Sequence, residues 1–490
     1  MFELTPLDQA IIVIYLGGVL GIGLWAGRKV RDLEEYAVAG RSYNAPIIAA
    51  TLSASFIGGG FTMGNAEKVF IVGMVNVAAL WGFSLKELLV ARFIAPRAGR
   101  FPTAISVGDV MEVDYGRTGK IVTGLFSVLL CAGILGAQIG GMGYLFNLFL
   151  GLPVPTGILI GMGIILLYDT IGGMRAVVAT DVMQFVMLSI GMPLALILGV
   201  ASIGGIDAVA ARIPEGHLSF FGNITPVRFC SLFLTFLLGE TLVPPYVRRL
   251  FISKDVGSLC RGTLWSGLYS IPFFAITGAL GLVALALKPT LNPNLSIPYV
   301  VESVLPIGLR GLVIAGIIAV VMSSADSFLN SASVAFVNDI INPLRRERLS
   351  ERKGLLYARL ATLVTGSLAI VFAIRIRSLL DILIYAYNFW SPIILVPLAA
   401  TLLGVKTSPR AFFAGAAAGI FGVFAWNGLL DAPGGFDGLL VGVFANFVAF
   451  GTVNRLTGTS RPAGADLPGR PYPRAVAVPE SDPPSGGEDQ

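Results

Sequence analysis

The chain alternates between apolar runs of about 20 residues and short polar breaks along most of its length. A run of that length crosses the hydrocarbon core of a bilayer as a helix, which satisfies its own backbone hydrogen bonds there. The pattern predicts an all-α polytopic membrane protein with about thirteen transmembrane helices. The predicted spans are 9–27, 46–66, 73–93, 120–147, 154–172, 176–202, 226–247, 264–286, 309–334, 355–376, 379–403, 411–429 and 437–454.

Composition supports this interpretation. Hydrophobic residues make up 55% of the chain and charged residues only 13%, a balance suited to lipid and not to water. The first apolar run ends at Arg28 and Lys29 without a small-residue cleavage site. We therefore expect a permanent transmembrane helix there and not a signal peptide.

The residues that carry most enzyme chemistry are scarce. His217 is the one histidine, so neither a histidine metal site nor a serine-histidine triad is available. The three cysteines show no pairing pattern or metal-ligand spacing. The net charge of +5 comes from basic residues spread through the loops, which does not indicate a nucleic-acid partner. The sequence therefore predicts neither an enzyme nor a bound cofactor.

Basic residues collect in alternate loops, which the positive-inside rule assigns to the cytoplasm. The residues used for this assignment are Arg28, Lys29, Arg31, Arg41, Arg92, Arg97, Arg100, Arg117, Lys120, Arg248, Arg249, Lys254, Arg261, Arg345, Arg346, Arg348, Arg352 and Lys353. Arg375 and Arg377 are the exception, in a short loop placed outside. We predict a multi-pass protein of the inner (plasma) membrane with an extracellular amino terminus and a cytoplasmic carboxyl terminus.

Two of the predicted helices contain interruptions. The second run carries Gly58-Gly59-Gly60, and the seventh carries Gly239 and Glu240 followed by Pro244-Pro245. Consecutive glycines favour unwinding, and proline removes a helix donor. A close helix crossing is the alternative explanation of the glycines. Broken helices at corresponding positions of two five-helix halves indicate an inverted-repeat transporter with a site near the midplane.

The predicted organisation follows from these halves. It comprises a leading helix with a cytoplasmic loop (1–45), a first five-helix repeat (46–202), a second five-helix repeat (203–403), two trailing helices (404–455) and a disordered cytoplasmic tail (456–490).

Two carboxylates lie at membrane depth, where an ionised group is costly without a partner. Asp326 follows the hydroxyl-rich stretch Met322-Ser323-Ser324-Ala325, and Asp181 lies inside its predicted span. The serines could instead bond their own helix, and Asp181 could be an interfacial residue. Carbonyls, hydroxyls and carboxylates together suit a hard monovalent cation.

Several motifs resemble the sodium/solute symporter family over nearly the whole chain, to about residue 455. They are Tyr36-Ala37-Val38-Ala39-Gly40-Arg41, Ile171-Gly172-Gly173-Met174-Arg175, Thr180-Asp181, Tyr246-Val247-Arg248-Arg249 and Met322-Ser323-Ser324-Ala325-Asp326-Ser327. The stretch 58–67 is most similar to the high-affinity choline transporter branch. The resemblance implies a five-plus-five inverted-repeat fold with one leading and two trailing helices.

The resemblance also implies cation ligands. It places a sodium ion on carbonyls of Ala54, Ile57 and Val320 and on hydroxyls of Ser323 and Ser324. A possible second cation maps to Ser323 again, with Asp181, Asp326 and Ser327.

For the solute we expect a site beside the broken helices. The candidate residues are Phe56, Gly60, Phe61, Gln138, Glu240 and Tyr387. Tryptophans of the choline branch are replaced here by Phe56, Ile134 or Leu135, and Val243, so little of an aromatic cage for a quaternary ammonium remains. A different pocket could be lined by Tyr385, Tyr387, Asn388 and Trp390.

The sequence thus predicts a secondary active transporter that couples sodium entry to the uptake of a small organic solute by alternating access. A proton-coupled or facilitative carrier is the alternative, favoured if Asp181 and Asp326 titrate. A transporter-derived sensor is a third class, but the chain carries no kinase or receiver region. The solute is left open among amino acids, carboxylates, amines, choline and polyols.

Overall fold

A computed structural model describes residues 4–219, 221, 224–347, 349–375, 387–388 and 390–457 of the chain. In this part of the chain the secondary structure is helical, apart from one isolated bridge between Tyr43 and Ser253. The predicted all-α fold class is confirmed. Of the residues used above, Arg348, Arg377, Tyr385 and the tail from residue 458 lie outside the described ranges.

The helices follow one another through short connections. They are α1 (Pro6–Gly27), α2 (Leu33–Val38), α3 (Ala45–Phe56), α4 (Gly59–Val72), α5 (Val75–Leu89), α6 (Val107–Leu150), α7 (Val154–Ile203), α8 (Ile206–Ala210), α9 (Pro226–Leu238), α10 (Pro244–Arg249), α11 (Val256–Leu287), α12 (Ser296–Val304), α13 (Leu309–Ala335), α14 (Asn342–Leu344), α15 (Glu351–Arg375), α16 (Val396–Leu403), α17 (Pro409–Phe424) and α18 (Gly438–Thr457).

Local sequence explains where several of these helices begin. Thr5 and Asp8 form a reciprocal capping box at the start of α1. Ser106 and Asp255 accept hydrogen bonds from the first turns of α6 and α11. Such side chains satisfy amide groups that have no partner within the helix. The caps therefore fix where these three helices begin.

The helix α7 is 50 residues long but not continuous in direction, because Gly173 has a φ of +48°. A Cβ at this position would lie 2.5 Å from the carbonyl oxygen of Tyr36, so only glycine fits. The kink falls between the predicted spans 154–172 and 176–202. One long helix thus supplies two predicted membrane crossings.

Eight helices in the described ranges are long and apolar enough to cross a membrane, and the bent pair α3 and α4 would add a ninth. Two shorter apolar helices, Pro226–Leu238 and Ser391–Leu403, fall below that length. The total of thirteen and the repeat symmetry between the halves remain predictions, since α7 covers two predicted spans and the span 379–403 is described only in part.

The first predicted interruption is present. The chain bends by 55° between α3 and α4. The helix ends at Phe56 and resumes at Gly59, so the break is narrower than the three-glycine stretch suggested. Thr62 stabilises it by donating a hydrogen bond from its Oγ1 to the carbonyl of Ile57 at 2.5 Å.

The second predicted interruption is present too. The helix α9 ends at Leu238, and α10 begins at Pro244, whose missing amide hydrogen costs nothing in a first turn. Between them Leu242 has a φ of +56°, a conformation that L-residues rarely adopt. The hydroxyl of Ser391 donates to the carbonyls of Leu238 and Gly239, at 2.9 and 2.6 Å.

The helix α13 lies at the centre of the protein. Nearly all its side chains from Gly311 to Ala335 are buried, and it packs against α1, α3, α6, α7, α10 and α15. On the periphery, large apolar side chains are exposed, among them Ile14 of α1 and Phe421 of α17. This arrangement, with polar groups inside and apolar groups outside, is the one that a lipid solvent requires.

One part of the topology argument needs correction. Arg248, Arg249 and Lys120 were assigned to cytoplasmic loops, but their side chains are buried in the protein. These residues pair with groups inside the protein, so they do not indicate which side of the membrane their loops face. Arg345, Arg346, Arg352 and Lys353 are exposed and keep the assignment of their loop.

We still predict an extracellular amino terminus and a cytoplasmic carboxyl terminus, because the exposed basic residues dominate the charge asymmetry. Reporter fusions that are active on only one side of the membrane, placed at each terminus, measure this directly. Two fusions reporting the same side would contradict the odd number of membrane crossings.

Candidate cation and solute sites

The predicted sodium ligands lie where the end of α3 meets the middle of α13. The Oγ of Ser323 is 3.5 Å from the carbonyl oxygen of Ala54. The Oγ of Ser324 donates to the carbonyl of Ser55 at 3.3 Å. Two hydroxyls of α13 thus face main-chain oxygens at the helix break.

All five predicted sodium ligands are buried: Ala54, Ile57, Val320, Ser323 and Ser324. Ile57 stands in the break itself, and Val320 lies one turn before Ser324 on α13. The oxygen-only set fits a hard monovalent cation. Ser323 meets the carbonyl of Ala54, whereas Ser324 meets that of Ser55, which is not among the predicted ligands. The carbonyl of Ile57 accepts from Thr62, and none of the described side-chain hydrogen bonds joins the carbonyl of Val320 to the two serines.

The carboxylate of Asp181, on α7, lies directly behind this group. Its Oδ1 accepts a hydrogen bond from Ser323 at 2.5 Å, and its Oδ2 accepts one from Thr51 of α3. Asp181 is fully buried, which excludes the interfacial alternative.

The residues assigned to a possible second cation are only partly brought together. The guanidinium of Arg249 lies between Asp181 and Ser327, with its Nη2 at 2.9 Å from the carboxylate and 2.8 Å from the hydroxyl. Asp326 makes other contacts: it accepts hydrogen bonds from Tyr168 at 2.5 Å and from Ser327 at 3.3 Å. The side chain of Arg249, and not an open cavity, thus lies between Asp181 and Ser327, two of the residues assigned to the second cation.

The neighbouring Arg248 is buried in a second polar network. Its guanidinium donates to Asn330 at 2.6 Å, to Ser331 at 3.1 Å and to the carbonyl of Ala37. Asn330 in turn donates to Asp169 at 3.0 Å. Neither arginine was predicted from the sequence to be buried inside the protein. Both follow the second helix break directly, and other helices carry carboxylates at membrane depth. Those two features together were the available signal for a buried ion pair.

A cavity of about 350 Å³ lies beside the two broken helices. All six predicted solute-binding residues line it: Phe56, Gly60, Phe61, Gln138, Glu240 and Tyr387. Asn388 lines it as well. Trp390, proposed for a different pocket, is buried and absent from the lining. A volume of this size suits a small organic molecule.

Glu240 is held in the cavity wall by two tyrosines. Tyr246 donates to its Oε2 at 3.0 Å, and Tyr387 donates to its Oε1. Nearby, the ammonium of Lys86 pairs with Glu87 at 2.6 Å and lies over the rings of Phe83 and Tyr246. This buried ion pair was not anticipated from the sequence.

The model of the sodium:solute symporter family matches residues 36–421, which is most of the chain. The chain belongs to the sodium:solute symporter family. Its class activity is therefore sodium-driven solute symport and not enzyme catalysis, as predicted, and it is a multi-pass plasma-membrane protein.

The relatives of this symporter are named after different solutes. It is 24% identical over 416 residues to the high-affinity choline transporter 1 of Drosophila melanogaster, covering 78% of this chain and 63% of that one. It is 23% identical over 463 residues to the sodium/glucose cotransporter of Vibrio parahaemolyticus, covering 85% and 84%. The predicted likeness to the choline branch is confirmed among the relatives, but the family does not determine the solute.

A solved structure shares the fold of this symporter. A Na⁺-coupled sialic acid symporter in a substrate-bound, outward-open state superimposes with a TM-score of 0.81 at 21% identity, over 94% of this chain and 100% of that one. At this identity the likeness concerns the fold alone.

The cation and solute regions of the symporter adjoin each other. Ser55, Gly58 and Ser324 line the cavity and also border the predicted sodium ligands. A Cβ on Gly58 would clash with the side chain of Ser324. A solute in the cavity and an ion at the helix break would therefore contact the same short stretch of structure.

Proposed function

We propose that this symporter uses the sodium gradient to take up a small organic solute that carries an amine cation. The observation that supports the proposal is the carboxylate of Glu240, which faces the cavity with two phenol hydroxyls as its hydrogen-bond donors. In the described part of the chain, neither an arginine nor a lysine lies within ion-pair distance of it.

The charges around the cavity favour a cationic solute. Lys86 lies over the ring of Tyr246, which donates to Glu240, and Glu87 already balances the charge of Lys86. Glu67 and Asp437 also line the cavity, against one exposed Lys68. An ammonium group would replace its lost hydration with a charge-assisted hydrogen bond to Glu240.

The hydrogen-bond capacity of Glu240 narrows the class of solute further. An ionised carboxylate has about four acceptor positions, and the tyrosines use two of them. An amine with N–H donors can fill the remainder, whereas a quaternary ammonium has no N–H to donate. We therefore favour a primary or secondary amine over choline.

The apolar part of the wall suits the rest of such a molecule. Phe56, Phe61 and Phe236 line the cavity, and Phe56 and Phe61 each pack against Phe83 with ring centroids about 5 Å apart. Their contacts with one another hold the rings in place. Apolar carbon atoms of the solute would be buried against this surface.

A proton-coupled carrier is the second candidate. It is favoured by Asp326, whose hydrogen-bond partners are the hydroxyls of Tyr168 and Ser327 and not a basic group. Uptake into proteoliposomes under a sodium gradient or a proton gradient, imposed separately, distinguishes the two. We expect accumulation with the sodium gradient alone.

The charge of Glu240 is tested by Glu240→Gln, with solute binding measured on purified protein in saturating sodium. Losing a hydrogen bond to a charged group costs about 1.5–3 kcal/mol, so we expect affinity for amine solutes to fall roughly 10- to 100-fold. A panel of amines and their neutral isosteres provides the ligands.

Glu67→Gln is the matched control, because it removes the same charge from another part of the cavity lining. We expect it to change amine affinity much less. Unchanged amine affinity in Glu240→Gln, or uptake by the wild type of neutral isosteres only, would refute an amine solute.

A further inference from the structure

The side chain of Arg249 fills the space between the residues expected to bind a second cation. Besides Asp181 and Ser327, its Nε donates to Thr51 at 3.0 Å and its Nη1 to the carbonyl of Pro245 at 3.1 Å. Arg249, Asp181 and Thr51 are fully buried, and Ser327 is 1% exposed. The guanidinium therefore stands where an ion between Asp181 and Ser327 would lie.

We propose that Arg249 is a built-in cation that takes the place of a second sodium ion, so that the symporter binds one sodium ion and not two. The inference rests on the proposed sodium coupling, and it sets the number of ions that drive each solute. It also assigns Arg249 a role in stoichiometry beyond that of a structural ion pair.

The chemistry of arginine suits this role. A guanidinium stays protonated at any physiological pH, and its planar donors can engage a carboxylate and hydroxyls at once. Because it is covalently attached to α10, it does not diffuse away when the external sodium concentration falls. Its positive charge is therefore constant throughout a transport cycle, unlike that of a bound ion.

Asp181 then acts as a positioning residue for the single sodium ion. Ser323 has one hydroxyl hydrogen, and its contact with Asp181 Oδ1 at 2.5 Å is shorter than its contact with the Ala54 carbonyl at 3.5 Å. A hydroxyl that donates to the carboxylate keeps its oxygen lone pairs for a cation. Arg249 and Thr51 hold the other carboxylate oxygen. The ion pair of Asp181 and Arg249 thus orients Ser323, a predicted sodium ligand, without itself binding the ion.

Asp326 does not restore a second site. It is bonded to Tyr168 on α7, and within the described hydrogen bonds Ser327 is its connection to Arg249. The hydroxyl of Ser327 is thus engaged on both sides, as acceptor from Arg249 and as donor to Asp326.

The test is to count bound sodium with ²²Na⁺ in a scintillation proximity assay on the purified full-length symporter at pH 8, without solute. We expect about one ion per chain for the wild type. For Arg249→Gln we expect about two, because the buried carboxylate of Asp181 then lacks a counter-ion. Arg249→Lys keeps the charge and should stay near one.

Two further variants control for folding and for the removal of charge in general. Arg248→Gln removes the adjacent buried guanidinium, which contacts Asn330 and Ser331 but not Asp181, and should leave about one ion bound. The double variant Asp181→Asn, Arg249→Gln removes both charges of the pair, and we expect it to lose the second ion that Arg249→Gln binds.

Each outcome is decisive. Two ions on the wild type or on Arg249→Lys, or a folded Arg249→Gln that still binds one, would overturn the inference. Should Arg249→Gln fail to fold, the wild-type and Arg249→Lys counts decide the question. A wild type that binds no sodium at all would instead refute the sodium coupling under "Proposed function".

Discussion

Replacing Ser323 and Ser324 together by alanine should raise the sodium concentration for half-maximal uptake by roughly 30-fold or more, because each lost hydroxyl costs about 1–3 kcal/mol in a buried site. Both side chains are buried opposite the end of α3. Three of the five proposed ligands are main-chain carbonyls, so these hydroxyls are the part of the site that substitution can remove.

Ser333→Ala is the matched control for this prediction. Ser333 lies on the same helix and is equally buried, but its hydroxyl bonds the carbonyl of Leu329 in its own helix. Its removal should leave sodium dependence close to that of the wild type. By reciprocal linkage, solute affinity of the double serine variant should fall at low sodium and recover at saturating sodium. Identical sodium curves for the wild type and the double variant would exclude the assignment.

Substituting Gly58 by alanine should weaken sodium binding by about tenfold or more and lower sodium-driven uptake. The new Cβ would overlap the Ser324 Oγ and lie 3.0 Å from its Cβ, so the Ser324 hydroxyl must rotate away from the break between α3 and α4. Ser324 is a proposed ligand, and a packed helix leaves little free space in which its hydroxyl could take an equivalent position. The measurement is ²²Na⁺ binding to protein that elutes as a single species.

Gly64→Ala tests whether replacing any glycine near the break by alanine is enough to weaken sodium binding. Gly64 lies on α4, close in sequence to the break, and a Cβ there would meet nothing within 4 Å. We expect Gly64→Ala to bind sodium with wild-type affinity. Wild-type sodium affinity in Gly58→Ala would show that the contact with Ser324 does not shape the ion site.

The features that could be predicted from sequence are those set by short stretches of chain. Glycines and a proline pair marked both helix breaks, and the kink at Gly173 fell at a predicted boundary. Four of the six candidate solute-binding residues were predicted from the breaks, and all six line one cavity. Local backbone chemistry and membrane depth were sufficient for these, because both can be read along one helix.

The features that were missed depend on partners far apart in sequence. Arg249 and Asp181 are 68 positions apart, and Tyr387 reaches Glu240 across 147. The positive-inside rule counts an arginine near a helix end as cytoplasmic, whether or not a buried carboxylate binds it. Three aspartates on two helices, Asp169, Asp181 and Asp326, need positive partners inside the membrane. Matching their charges with those of the two adjacent arginines would have suggested the buried ion pair.

The two halves of the second broken helix belong to different packing neighbourhoods. The helix α9 packs on α5 and α18, whereas α10 packs on α3, α6 and α13. Arg248 and Arg249 join α10 to α3, α7 and α13 through side-chain hydrogen bonds. When one neighbourhood rotates against the other, the difference in motion must be absorbed between Gly239 and Val243. That stretch would then act as a hinge. Because Glu240 lies within it, a rotation between the two neighbourhoods would also move the carboxylate in the cavity wall.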